Sequence, residues 1–183
     1  MMKKKVREWI GNRHHLLSDY SVREEKYALI LDRIIRRMEH YRDEAGIRGL
    51  VKGRVKGFEA FYRKLLEKNV ERSVGNPFED ITDLVGIRVV VPFLEDVQTI
   101  ECLVKKKFDV LEVENKSRSL SIREFGYDST HITVEVPQDI LDEAGLEDVL
   151  VCEIQIRTIL QDAWAEVEHE LVYKSGIDSD KVE

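Results

Sequence analysis

The sequence predicts a mixed α/β fold of the α+β kind, a β-sheet flanked by helices, and three observations predict it. A long segment near the N-terminus repeats apolar residues at helical spacing. Leu84–Val91 is an apolar run stopped by Pro92, and the segment around Glu153–Arg157 alternates polar and apolar residues. Strand-like and helix-like stretches interleave through the chain, which implies a sheet covered by helices with the N-terminal helices packed beside it. At 183 residues the chain is long enough for one domain with a real core.

Each element has its own warrant. Ser21-Val22-Arg23-Glu24 has capping-box spacing, and Tyr27, Ile30, Leu31, Ile34, Met38 and Tyr41 follow at steps of mostly three and four. Together they predict a helix of about 25 residues that ends near Gly46. Leu50–Val55 is a short strand and Phe58–Asn69 a second helix. Leu84–Val91 reads as a buried central strand. Leu94–Lys107 is a helix whose basic last turn suits the negative end of its dipole. Val110–Val113, His131–Val136 and Val149–Ile156 are strands rich in Val and Ile, and Arg157–Tyr173 closes the chain as a helix. The organisation expected is an N-terminal helical extension over 1–48, a main domain over 49–175 and a tail over 176–183.

Composition removes several classes. Hydrophobic residues at 43% can build a core, so wholesale disorder is excluded. No apolar run reaches the roughly 18–20 residues that span a bilayer, and the basic start lacks the apolar stretch of a secretory signal. Cys102 and Cys152 are too few for a disulfide framework, so a reduced, cytoplasmic setting with no membrane partner is expected. The net charge of −7 argues against a protein that coats nucleic acid over its whole surface. It hides a split: residues 1–76 hold 19 basic and 11 acidic side chains, and residues 77–183 hold 10 and 25.

Four polar segments stand out. Gly53-Arg54-Val55-Lys56, with Arg63 and Lys64 on the following helix, could clamp a polyphosphate or simply form a solvated basic face. Asp83, in Asp80-Ile81-Thr82-Asp83-Leu84-Val85-Gly86-Ile87-Arg88, could cap a turn or ligate magnesium beside a phosphate. Gly126-Tyr127-Asp128-Ser129-Thr130-His131 supplies an aromatic and an imidazole. Glu153, Gln155 and Arg157 share one face of a strand whose other face is apolar, and unpaired buried charge is costly, so that face must line a wet surface or a site. No P-loop, zinc-protease helix or nucleophile elbow occurs.

Read together, the segments GRVK, D-x-x-G-x-R, GY-x-S-x-H and EIQIRT, followed by W-x-x-x-E-H-x-x-x-YK, resemble the synthetase domain of the RelA/SpoT family, and its small single-domain alarmone synthetases most of all. The resemblance runs from about Val51 to Lys174. It implies a nucleotidyltransferase-like fold and transfer of the β,γ-pyrophosphate of ATP to the 3′-hydroxyl of GDP or GTP, with Mg²⁺ as cofactor. By motif position, Arg54 and Arg88 would hold adenine, and Lys56, Arg63 and Lys64 the ATP phosphates. Asp83 and Glu153 would be the catalytic and metal-binding carboxylates, with Glu153 also the base for the acceptor hydroxyl. Tyr127 would stack on guanine, and Lys116, Arg123, His131, Gln155 and Asp162 would lie on the acceptor side.

The chain departs from the family pattern at Ala60, where the family usually has Ser, at Lys116-Ser117-Arg118-Ser119 in the acceptor loop, and at Phe125. These changes bear on the acceptor more than on the reaction type. Two alternatives follow: a toxin-type relative that pyrophosphorylates the tRNA 3′ end, and a non-catalytic nucleotide-binding module. Retention of both Asp83 and Glu153 argues against the second. Homo-oligomerisation is compatible with the resemblance, since small members assemble through terminal helices.

Overall fold

The computed structural model describes residues 13–68, 76–116 and 129–175, the side chains of Lys116 and of residues 168–175 excepted. Its elements run α1 (Arg13–Glu44), β1 (Leu50–Val55), α2 (Phe58–Glu67), β2 (Val85–Val91), α3 (Leu94–Lys107), β3 (Val110–Lys116), β4 (Ser129–Glu135), α4 (Gln138–Ala144), β5 (Val151–Thr158) and α5 (Ile159–Ser175). The five strands form one sheet in the order β1-β2-β5-β4-β3. Only the central pair β2 and β5 is parallel; the others are antiparallel. This is the mixed sheet with flanking helices that the segment order predicts.

The register sorts side chains onto two faces. Val51, Ile87, Val89, Ile154, Ile156, Ile132 and Val134 are buried together with Tyr27, Ile30, Ile34 and Met38 of α1 and Ile100 and Val104 of α3. The other face carries Lys52, Arg54, Gly86, Arg88, Glu153, Gln155 and His131, as the pairings Arg54↔Gly86, Gly86↔Glu153, Arg88↔Gln155 and His131↔Gln155 require. Along β5 burial alternates strictly, as the polar-apolar alternation of its sequence predicts. β2 is central, but it is not dry on both faces: Gly86 and Arg88 are only partly buried. An apolar run alone cannot tell a strand with two dry faces from one with a wet half.

One further expectation is corrected, and one element is added. Ser21 does not cap α1. It lies inside a helix already formed by Arg13, and its hydroxyl donates to the Leu17 carbonyl at 2.9 Å. A serine within a helix can bond back to the preceding turn, so capping-box spacing alone does not fix a start. α4 escapes the periodicity search because it has only seven residues. Its punctuation is nonetheless in the sequence, with Pro137 before it and Gly145 after it at φ +62°.

α1 is tied to the sheet by close approach. A Cβ at Gly53 would stand 2.7 Å from the Gly86 carbonyl oxygen, 2.7 Å from Leu31 Cδ1 of α1 and 2.9 Å from Ile87 Cδ1. Leu31 can turn aside, but a strand carbonyl cannot. Gly53→Ala is therefore expected to destabilise the fold by about 1–3 kcal/mol, read as a lower urea midpoint at unchanged slope. An unchanged midpoint would show that the β1 and β2 backbones part at Gly53 without cost. Among the described residues no helix is long and apolar enough to cross a membrane.

Candidate active site

The polar sheet face forms the wall of a cleft of about 290 Å³. Lys52 and Arg54 reach it from β1, Gly86 and Arg88 from β2, Glu153 and Gln155 from β5. Asp83 enters at the N-terminal end of β2 and Glu166 from α5. Cations thus come from the edge strand β1 and its neighbour β2, and carboxylates from β5, from the turn before β2 and from α5.

At one end Asp83 sits between two lysines, with Lys56 Nζ at 2.9 Å and Lys64 Nζ at 2.9 Å. Burial would raise the Asp83 carboxyl, but the hydrogen-bonding ammonium groups of Lys64 and Lys56 outweigh it and hold the group below the usual carboxylate range. The fold also fixes Lys56 from behind: its backbone carbonyl accepts a hydrogen bond from the hydroxyl of Tyr20, a core residue of α1. Burial, with Glu24 nearby, pushes that phenol up to about 12, so it stays a donor across the physiological range.

In the middle, Glu153 is held through both carboxylate oxygens. Its Oε1 lies 2.8 Å from His131 Nδ1, and its Oε2 accepts from Gln155 Nε2 at 2.8 Å. His131 Nε2 in turn lies 2.9 Å from Ser129 Oγ. A carboxylate offers about four acceptor sites, so these two partners do not exhaust it. The contact to Glu153 assigns Gln155 Nε2 as the donor and leaves Gln155 Oε1 buried with no hydrogen-bond partner. A buried acceptor without a donor is costly unless a ligand or water supplies one.

At the far end, Arg88 Nη1 lies 2.9 Å from Asp162 Oδ1 and 2.7 Å from Glu166 Oε1, while Lys52 Nζ lies 3.0 Å from Asp162 Oδ2. α5 therefore fixes the plane of the Arg88 guanidinium. Beyond it, half-buried Arg157 has its Nε unpartnered. Burial, and then the like charge of Arg88, lower its pKa.

The residues singled out from sequence distribute as follows. Arg54, Asp83, Arg88, Glu153 and Gln155 meet in the cleft, and Lys56 and Lys64 join it through Asp83. His131 stands behind Glu153, with both ring nitrogens engaged. Asp162 lies with Arg88 and Lys52 and not with His131. Arg63 is exposed on α2 and does not line the cleft. Lys116 ends β3, with its side chain outside the description, and Arg123 and Tyr127 lie outside the described residues. Sequence reasoning passed over Lys52, Gly86 and Glu166. Lys52 is two residues from Arg54 on one strand, and Glu166 is one helical turn beyond Asp162, so both had a periodic signal.

A carboxylate on β5 and another in the turn that leads into β2 face clustered cations across one cleft, an arrangement suited to a phosphorylated ligand. The comparisons with known proteins give the family. Residues 53–178 match the model described as the region found in RelA / SpoT proteins, and the chain belongs to that family. It is 33% identical over 130 residues to the GTP pyrophosphokinase YwaC of Bacillus subtilis, covering 71% of this chain and 60% of the relative's length. It is 32% identical over 149 residues to the GTP pyrophosphokinase YjbM of the same organism, covering 81% of this chain and 68% of that one. Among solved structures, small alarmone synthetase 1 from Bacillus subtilis bound to its product pppGpp superposes with a TM-score of 0.70 at 25% identity, over 89% of this chain and 84% of its own.

Proposed function

We propose that this protein is a pyrophosphokinase that transfers the β,γ-pyrophosphate of ATP to the 3′-hydroxyl of GDP or GTP. The observation that carries the reading is the opening of Asp83 and Glu153 into one cleft within the segment that matches the family. In the transfer, the acceptor 3′-oxygen bonds to the β-phosphorus of ATP and the bond from that phosphorus to the α-phosphate oxygen breaks. AMP leaves, and the hydroxyl proton passes to Glu153.

The residues divide that work. Arg54 and Arg88 flank the adenine, with Asp162 and Glu166 fixing the Arg88 plane. Lys56 and Lys64 neutralise Asp83 before substrate arrives and turn to the phosphates when it binds, which frees Asp83 in the same event. Glu153, oriented by His131 and Gln155, accepts the proton, and the unpartnered Gln155 Oε1 receives a donor from the acceptor nucleotide.

The donor set suits Mg²⁺. Among the described residues there is no cluster of three or more metal-binding side chains, and two carboxylates are the usual protein share for an ion completed by phosphate oxygens and water. Asp83 and Glu153 would hold it, and when bound it would offset the negative charge of the phosphates during transfer.

The deciding experiment offers GDP, GTP or deacylated tRNA to the protein with Mg²⁺ and γ-labelled ATP. Label on the guanosine nucleotide is the expected result. Label confined to tRNA would replace the acceptor, and ATP binding with no transfer to any acceptor would leave a binding module. A milder prediction concerns the Arg88 clamp. Asp162→Asn with Glu166→Gln should raise the KM for ATP roughly three- to tenfold at nearly constant kcat, because it loosens a binding wall and not the reacting centre.

A further inference from the structure

Gly86 lines the cleft on β2, opposite Arg54 on one side and Glu153 on the other, with Arg88 two residues on along the same face. Backbone conformation does not require a glycine there. Among the described glycines only Gly46 and Gly145 have positive φ, and Gly86 lies in regular strand. Packing does not require it either: a Cβ at Gly86 meets no atom within 4 Å, in contrast to Gly53 on the opposite face. Glycine inside a strand weakens it and packs nothing, so a residue with a side chain would serve the fold better. What glycine provides at this position is open space on the cleft floor.

The neighbouring side chains give that space a shape. Arg54 faces Gly86, and Arg88 faces Lys52, so Arg54 and Arg88 are diagonal neighbours across an antiparallel pair. Diagonal neighbours stand about 7–8 Å apart. Side chains that rise in parallel from backbone positions so spaced leave room for two van der Waals contacts of about 3.5–4 Å, which one flat ring between two guanidinium planes needs.

We propose that Gly86 is the floor of a purine slot: its missing Cβ lets the edge of a base held between Arg54 and Arg88 descend to the strand backbone. Residue size at position 86 then sets how deeply a purine nucleotide seats, and so its affinity. The inference rests on the reading of the cleft as an ATP site and adds a specificity-determining position to it. Phosphates alone do not need the slot, because Lys56 and Lys64 meet them beside Asp83.

The test titrates the full chain and its Gly86→Ala and Gly86→Val variants with ATP and with inorganic tripolyphosphate, each with Mg²⁺, by calorimetry. ATP affinity is expected to fall stepwise with side-chain volume, by roughly tenfold or more for valine. Tripolyphosphate affinity should stay within about twofold, and thermal midpoints should stay level or rise. ATP binding by the valine variant equal to that of the wild type would overturn the proposal, as would equal loss of ATP and tripolyphosphate. Were the valine variant unfolded, the same contrast in the alanine variant decides. Label transfer by the wild type is read separately. ATP affinity graded by residue 86 in a wild-type protein that transfers nothing would remove the proposed reaction and keep the slot.

Discussion

Glu153→Gln is expected to lower pyrophosphate transfer by about 10³-fold while ATP binding and the thermal midpoint hold steady. The substitution keeps volume and shape, and an amide oxygen can still accept from Gln155 Nε2. It removes the ability to take a proton from the acceptor hydroxyl, a function whose loss typically costs about 10²- to 10⁴-fold. It also removes one of the two proposed metal-ligating carboxylates. Single-turnover transfer with saturating nucleotides is the measurement, because it separates chemistry from binding. Near-wild-type turnover would take Glu153 out of the reaction and leave its contacts to His131 and Gln155 as architecture.

Asp83→Asn should abolish transfer as fully, and here stability changes too. Asp83 is the shared anion of Lys56 and Lys64, so the asparagine variant leaves two ammonium groups facing each other across a neutral amide. The thermal midpoint at neutral pH should fall, and activity should be compared below the variant's own midpoint. The pH dependence gives a second reading. The folded protein holds the Asp83 carboxyl below its ordinary value near 3.9, so its stabilising contribution is fully present above that value. It is lost as pH falls through the lower, folded-state value. The wild-type and Asp83→Asn stability curves should therefore differ at neutral pH and converge in strong acid. Parallel curves through that window would mean that the lysine pair does not hold Asp83 ionised.

Much of the architecture was legible because the relevant signals are local. β1 and α3 match their expected bounds, Leu50–Val55 and Leu94–Lys107, since each is closed by a change of pattern at both ends. The polar face of β5 follows from period-two alternation alone, and it led to Glu153 and Gln155. What escaped detection depends on partners distant in sequence. Lys52 gains meaning only when α5 brings Asp162 to it, and the Tyr20 hydroxyl only when α1 lies under the turn at Lys56. Gly86 is invisible as a site residue because its contribution is a missing atom. His131 illustrates the limit of carrying a role by motif position. The motif locates the residue, but only the β4–β5 register shows it behind Glu153, with Ser129 on its other nitrogen.

The strict in-out alternation of β5 also bears on which changes of chain length the protein tolerates. Inserting or deleting one residue between Cys152 and Thr158 would rotate everything beyond it by half a turn. Isoleucines would then face the cleft and charged groups the core, so the fold and the site would fail together. The same change in the short connection at Glu147–Val149, between the buried Leu146 and Leu150 and outside the register of the central pair, shifts neither sheet face. Length variation in this lineage should therefore collect in the connections and avoid β5, and a library of single-codon deletions scored for solubility and transfer would show the lost activities clustered along that strand.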